Sequence, residues 1–277
     1  MKGLSLDGGG LFGIGQAAIL SQVDCGKFGF IAGTSVGSIL ASMIATKMDP
    51  SKCVNFFLQH GHQIFSGHWW RKYNFLFTPK YNDKNLNKIL QVLFPGMLGD
   101  VSVPLFITAV DLNRRRLKVF CSEDPDDADT LLWEVVRMAT AAETYFKPWN
   151  GFSDAGIMAN NPAMIAVAGA VNYFGIKTED LELCSIGTGV KVCNTNTGST
   201  EWWSTIRWGT FVIQLMLNGG SNTMHEYFVK SLHLKKYYRV QFLREDGWKM
   251  DDPSVVKKAL DAWKIPIEVA VRNVDAF

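Results

Sequence analysis

The chain has 277 residues, of which 47% are hydrophobic and 19% are charged, and its formal net charge is +2. This composition is typical of a globular protein with a sizeable apolar core and excludes a disordered or fibrous chain. The near-neutral charge argues against a nucleic-acid-binding protein. Because the sequence shows no repeat, low-complexity linker or break in composition, residues 1–277 are predicted to form one domain.

The cysteines and apolar segments indicate the compartment. Five cysteines are scattered without a CxxC pair, which predicts reduced thiols in a cytosolic protein rather than disulfides or a zinc site. Residues 1–20 lack the pattern of a signal peptide. No segment reaches the roughly 20 apolar residues of a membrane-spanning helix. We therefore expect a cytoplasmic protein that meets membranes peripherally.

Strand-like and helix-like segments alternate along the chain. Strands are predicted at 2–6, 28–32, 104–112, 117–122, 181–187 and 237–243. Helices are predicted at 13–22, 36–46, 50–65, 82–94, 129–142 and 161–174. This alternation predicts an α/β layered fold with a mostly parallel sheet.

The first predicted strand runs into the glycine-rich segment "DGGGLFG", residues 7–13. Gly8, Gly10 and Gly13 match a dinucleotide-binding fingerprint, but the acidic residue that such a site needs after the second strand is missing. The backbone N–H groups at a helix start can instead hold a developing oxyanion. A tight turn without a ligand remains the alternative.

A nucleophile candidate follows the second predicted strand in "GTSVG". Gly33, Ser35 and Gly37 form a G-x-S-x-G pattern between an apolar strand and a small-residue helix. This is the setting of a nucleophile elbow, where a sharp turn exposes the serine hydroxyl. Because parallel strands end at the same sheet edge, we expect Ser35 to lie beside the glycine-rich loop.

Two kinds of residue could serve as the base for Ser35. His225 and His233 are the histidines late enough for a Ser-His-Asp arrangement, and both lie in helical or helix-end segments. Asp154 is predicted on a loop before a helix, beside the small residues Ala155 and Gly156. A carboxylate within hydrogen-bond reach of a serine can act as its base, and we favour Asp154.

The motifs "DGGGLFG", "GTSVG" and "DAGIMANNP" together resemble the signature of the patatin-like phospholipase family, and the resemblance covers about residues 2–243. It implies a three-layer α/β/α sandwich and a Ser35–Asp154 dyad. It also implies metal-free and cofactor-free hydrolysis of acyl esters in phospholipids or related lipids. The oxyanion hole would come from Gly8, Gly9 and Gly10, and the remaining motif positions are Asp7, Gly13, Gly33, Gly37, Ala155 and Gly156.

The sequence departs from the family pattern at two residues. Phe12 stands where the family usually carries Arg or Lys, which bears on head-group preference. Glu143 stands where the family commonly has proline. The spacing from Gly10 to Ser35 is also shorter than usual, so we expect a more open site.

Aromatic clusters suggest contact with the lipid. Tryptophan suits the membrane interface, and five tryptophans lie in segments rich in Arg and apolar residues: Trp69, Trp70, Trp202, Trp203 and Trp208. Core or lid packing is the alternative for these side chains. Two further functions remain open, an acyltransferase that uses Ser35 and a lipid-binding module without turnover. The sequence does not indicate the oligomeric state.

Overall fold

The structure is a computed structural model that describes residues 1–66, 78–191, 204–216 and 221–277. Its central sheet has the strand order β4-β3-β2-β1-β6-β8, with β5 paired to β3. All pairings are parallel except those of β4 and β5 with β3. The strands are β1 (Lys2–Leu6), β2 (Phe30–Thr34), β3 (Leu105–Asp111), β4 (Arg116–Cys121), β5 (Phe152–Asp154), β6 (Glu182–Ile186) and β8 (Lys236–Val240), while β7 (Val190–Lys191) and β9 (Leu243–Arg244) form a separate parallel pair.

Helices follow most of the strands, as the alternating sequence pattern predicts. Those of the amino-terminal half are α1 (Ile14–Leu20), α2 (Val36–Ala45), α3 (Ser51–Ile64), α4 (Lys84–Leu93), α5 (Pro125–Ala128) and α6 (Leu132–Ala139). Those of the other half are α7 (Gly156–Ala159), α8 (Ala163–Phe174), α9 (Thr205–Leu215), α10 (Ser221–Ser231), α11 (Val255–Ala262) and α12 (Lys264–Asp275).

The sheet is covered on both faces, because successive strand side chains point to opposite sides. Leu4 and Ile31 belong to a large apolar cluster that includes α1, α2, α6, α11 and α12. Phe30 and Phe106 belong to a second cluster with α8 and α10. The predicted three-layer α/β/α sandwich with a mostly parallel sheet is confirmed.

The carboxyl-terminal helices were not predicted from the sequence. Both α11 and α12 pack against α1. Trp263, between them, stacks on Phe242 with ring centroids 4.5 Å apart and donates from Nε1 to the Leu243 carbonyl. These contacts fix the chain after β8 against the outer surface of the α1 layer.

Three of the sequence expectations concern absences. Four cysteines, Cys25, Cys53, Cys121 and Cys184, are free and buried, and Cys193 lies outside the described residues. Within the described ranges, no group of three or more His, Cys, Asp or Glu side chains could hold a metal ion. None of the helices in those ranges combines the length and apolar character needed to cross a membrane.

Candidate active site

Ser35 lies at the turn between β2 and α2 in a strained conformation. Its φ is 54° and its ψ is −126°, which non-glycine residues rarely adopt. The local sequence produces this turn because an apolar strand ends at Thr34 and a helix starts at Val36. This is the strand–turn–helix arrangement in which a nucleophile elbow would hold its serine.

The glycines on either side of Ser35 allow the elbow to pack tightly. A Cβ on Gly37 would lie 2.1 Å from the Leu6 carbonyl oxygen, so α2 approaches the end of β1 at backbone distance. A Cβ on Gly33 would lie 2.5 Å from the carbonyl oxygen of Gly37. Both positions therefore need glycine for steric reasons. Gly13 is also confined, because its Cβ would meet Phe57 at 2.9 Å.

Strand β3 brings Ser35 and Asp154 together. On one edge β3 pairs with β4 along residues 106–111. On its other edge, β2 pairs with residues 105–108 and β5 continues along residues 109–111 in the opposite direction. The carboxyl ends of β2 and β5 therefore meet. Asp154 is the last residue of β5, which corrects the prediction that it lies on a loop.

Asp154 is buried and tightly held. The Ser35 hydroxyl lies near its carboxylate, and hydrogen bonding from this hydroxyl lowers the pKa of Asp154. Its Oδ1 also accepts from the Gly156 N–H at 2.8 Å, and Ala155 beside it is fully buried. Burial, followed by the nearby Glu143 carboxylate, raises the pKa of Asp154 to about 7. A carboxylate with a pKa in this range is a better base than a solvated aspartate.

Glu143 places a second carboxyl group near Asp154. Its Oε1 accepts a hydrogen bond from the Ser153 hydroxyl at 3.0 Å. Burial raises the pKa of Glu143 as well. The residue that departs from the family pattern therefore adds negative charge beside Asp154. Like-charged carboxyl groups disfavour each other's ionised forms.

The glycine-rich loop lies next to Ser35, as predicted. A Cβ on Gly8 would lie 3.0 Å from the Ser35 Cβ. The Gly8 N–H donates to the Asn160 carbonyl at 3.0 Å, so it is already used within the protein. Across the described residues, neither the Gly9 nor the Gly10 N–H has an acceptor. Of the three predicted oxyanion donors, only the Gly9 and Gly10 N–H groups are therefore left to donate to a ligand, as far as the described residues show.

A buried ion pair anchors this loop. Arg239 of β8 donates from both terminal nitrogens to the Asp7 carboxylate, at 2.8 Å for the Nη1–Oδ1 pair. Arg239 also donates to Ser185 Oγ at 2.7 Å. Although burial alone would lower it, the Asp7 carboxylate raises the pKa of Arg239, so the guanidinium stays charged. The start of the loop is thereby fixed to the end of the sheet.

Among the described residues, neither histidine alternative has a hydrogen bond to the Ser35 hydroxyl. His225 Nδ1 is 2.6 Å from the Asn161 carbonyl oxygen, and His233 is an exposed residue after α10. Phe12 is buried and packs on Trp248, with ring centroids 6.3 Å apart. Position 12 is therefore part of the apolar core and does not present a side chain to a lipid head group.

Sequence reasoning assigned no role to several residues that contact the loop. Thr188 and Arg239 lie 180 and 232 residues away from the loop atoms they contact. The Asn160 side chain also donates to the Gly8 carbonyl, at 3.3 Å. The sequence did contain one sign that Thr188 lies at the site: the "GTG" at residues 187–189 follows β6, just as the glycine-rich loop follows the neighbouring strand β1.

Comparisons with known proteins agree with this geometry. The family model "Patatin-like phospholipase" matches residues 4–167. Patatin group D-2 of Solanum tuberosum is 27% identical over 91% of this chain and 79% of its own. Patatin-15 of Solanum tuberosum is 27% identical over 87% of this chain and 74% of its own. The crystal structure of VipD from Legionella pneumophila shares the fold, with a TM-score of 0.51 at 13% identity over 97% of this chain and 67% of that one. The chain belongs to the patatin-like phospholipase family, a family of lipid acyl hydrolases.

Proposed function

We propose that this protein hydrolyses carboxylic esters of phospholipids or related acyl lipids through an acyl intermediate on Ser35. The observation that carries the proposal is that the Ser35 hydroxyl lies near the buried carboxylate of Asp154, whose pKa it lowers, next to the Gly9 and Gly10 N–H groups, which have no acceptor among the described residues. A nucleophile, a base and oxyanion donors are the three parts that acyl transfer requires.

In the first half-reaction, Ser35 Oγ attacks the ester carbonyl carbon while Asp154 accepts the hydroxyl proton. The charge that develops on the carbonyl oxygen is stabilised by the Gly9 and Gly10 N–H groups; one such donor is typically worth about 2.7–4 kcal/mol. The ester C–O bond then breaks, and Asp154 returns the proton to the leaving alcohol. An acyl-Ser35 ester remains.

In the second half-reaction, a water attacks the acyl carbon and gives its proton to Asp154. The bond between the acyl carbon and Ser35 Oγ breaks, and Asp154 returns the proton to the serine. The fatty acid leaves and the starting state is restored. The raised pKa of Asp154 supports this role because the group exchanges protons near neutral pH.

The test is fatty-acid release from mixed phospholipid vesicles in EDTA. Wild type and His225→Ala are expected to release fatty acid, whereas Ser35→Ala and Asp154→Asn are expected to lose at least roughly 1,000-fold in rate, as removal of a triad member does elsewhere. Loss of activity in His225→Ala would favour a Ser-His mechanism. A product that depends on an added alcohol or thiol would favour an acyltransferase, and lipid binding without turnover would favour an inactive binding module.

We also propose that α9 and α10 contact the lipid surface. Each helix exposes apolar side chains at helical spacing, which we call the apolar face: Trp208, Val212 and Leu215 on α9 and Met224, Tyr227 and Phe228 on α10. Trp208 is 44% and Tyr227 73% exposed. The start of α10 borders the site, because Asn160 donates to Asn222 Oδ1 at 3.1 Å. The other candidates, Trp69, Trp70, Trp202 and Trp203, lie outside the described residues.

The apolar face is tested by separating vesicle binding from chemistry. Combined Tyr227→Ser and Phe228→Ser substitutions should weaken vesicle binding at least about tenfold, because each removes about 1.5–3 kcal/mol of burial in lipid. The kcat on a soluble short-chain ester should not change. Val92→Ser is the control, since Val92 is apolar and 75% exposed on α4, away from these two helices in sequence. Equal vesicle binding by all three proteins would contradict the proposal.

A further inference from the structure

The carbonyl oxygen of Gly8 is held by two side chains from distant loops. Thr188 Oγ1 donates to it at 2.6 Å, and Asn160 Nδ2 donates to it at 3.3 Å. Both donors are buried, with Thr188 only 3% exposed. A backbone carbonyl that accepts two buried side-chain hydrogen bonds has its orientation firmly fixed.

The direction of this carbonyl determines the direction of the next N–H group. The Gly8 C=O and the Gly9 N–H belong to one planar trans peptide, in which the two bonds point in opposite directions. With the carbonyl turned toward Thr188, the Gly9 N–H points away from it. That N–H has no acceptor among the described residues. A donor fixed in advance is what an oxyanion hole requires.

Thr188 is well placed to hold this peptide because its own loop is fixed on both sides. The Gly187 N–H donates to the Val240 carbonyl at 2.9 Å, and the Gly189 N–H donates to Gln241 Oε1 at 2.7 Å. Thr188 also packs directly on Gly9, where a Cβ would lie 2.1 Å from the Thr188 hydroxyl oxygen. The end of β8 thus positions Thr188, and Thr188 positions the peptide.

We propose that Thr188 is a positioning residue for the reaction: its hydroxyl fixes the Gly8–Gly9 peptide so that the Gly9 N–H faces the developing oxyanion. The proposal rests on the proposed acyl-ester hydrolysis at Ser35. Thr188 acts through the peptide and not by touching the substrate. Its loss should therefore weaken transition-state stabilisation and leave ground-state binding of the substrate unaltered.

The experiment compares Thr188→Val with Thr188→Ser on a soluble short-chain ester. Valine keeps the shape of threonine but removes its hydroxyl. The kcat should therefore fall about tenfold, which is less than the loss expected when an oxyanion donor itself is removed. The KM should stay within about twofold of the wild-type value. A trifluoromethyl ketone, which forms a tetrahedral oxyanion on the serine, should bind Thr188→Val weaker by the same factor. Thr188→Ser should keep wild-type kcat and inhibitor affinity.

Thr46→Val is the matched control. The Thr46 hydroxyl also donates to a backbone carbonyl, that of Ser42 at 2.8 Å, but it lies at the end of α2 opposite Ser35. This variant should keep kcat and inhibitor affinity. Melting temperatures of all variants show whether a loss of rate follows a loss of folded protein.

Two outcomes would overturn the inference. In the first, Thr188→Val melts at a lower temperature but keeps kcat and trifluoromethyl ketone affinity, so Thr188 only packs. In the second, Thr188→Ser loses as much activity as Thr188→Val, so the hydroxyl is not responsible. Failure of the proposed function can be told apart from failure of this inference. In that case the wild-type protein itself would neither hydrolyse the ester nor react with a fluorophosphonate at Ser35.

Discussion

Replacing Asp154 with asparagine should stabilise the folded protein at alkaline pH while it removes activity. Burial and the Glu143 carboxylate raise the pKa of Asp154 to about 7, above its unfolded value near 3.8. A carboxyl group whose pKa is raised by folding stabilises the fold when protonated. This stability is fully present below about pH 4 and is lost as the pH rises through about 7. Asparagine stays neutral and avoids the loss.

The size of the effect follows from the two pKa values. A difference of about three units at about 1.36 kcal/mol each gives an upper bound of about 4 kcal/mol at pH 8. At pH 5 the same calculation gives about 1.6 kcal/mol, so the advantage of Asp154→Asn should grow by up to about 2.5 kcal/mol between these pH values. The side-chain carbonyl oxygen of the introduced asparagine can still accept the Gly156 N–H, so that hydrogen bond is retained.

The assay is urea unfolding of wild type, Asp154→Asn and Ser35→Ala at pH 5 and pH 8. Ser35→Ala is the control, because it removes the serine hydroxyl but keeps the carboxyl group, and its stability should fall with pH at least as steeply as that of wild type. If Asp154→Asn is no more stable than wild type at pH 8, the carboxyl group is not held in a desolvated state. A difference that stays constant from pH 5 to pH 8 would refute the same reasoning.

Three further predictions concern neighbouring residues. The acid limb of kcat/KM should lie near pH 7, and Glu143→Gln should move it to lower pH, because a charge that raises the pKa of Asp154 is removed; an unmoved limb would show that Glu143 has no electrostatic role. Gly37→Ala should abolish soluble, folded protein, since its Cβ would lie 2.1 Å from a carbonyl oxygen. A variant that is folded by circular dichroism and active on ester substrate would contradict this. Arg239→Met should cost about 3–5 kcal/mol in urea unfolding at pH 8, because it leaves buried Asp7 without a partner. A loss below about 1 kcal/mol would mean that the ion pair does not anchor the loop.

Local features of the sequence were sufficient for most of the elements and for two parts of the site. Strand and helix periodicities located most of the sheet and the helices on both faces, because each pattern reflects which side chains are buried. The G-x-S-x-G pattern predicted the turn at Ser35, since the glycines that it needs are adjacent in sequence. The glycine-rich loop after β1 was predicted beside it because neighbouring parallel strands end at one edge.

The remaining parts of the site depend on contacts between residues that are far apart in the chain. The motifs predicted that Asp154 pairs with Ser35, but not how: β5 continues the edge of β3 beyond the end of β2, an arrangement that no local pattern specifies. Arg239 and Thr188 reach the glycine-rich loop across 232 and 180 residues. The unequal use of the three glycine N–H groups also follows from such a contact, that of Gly8 with Asn160. The sequence alone thus determined which local backbone shapes form and which serine and aspartate to pair. Only the tertiary structure decided the other buried polar pairs, because such pairing depends on how distant segments pack.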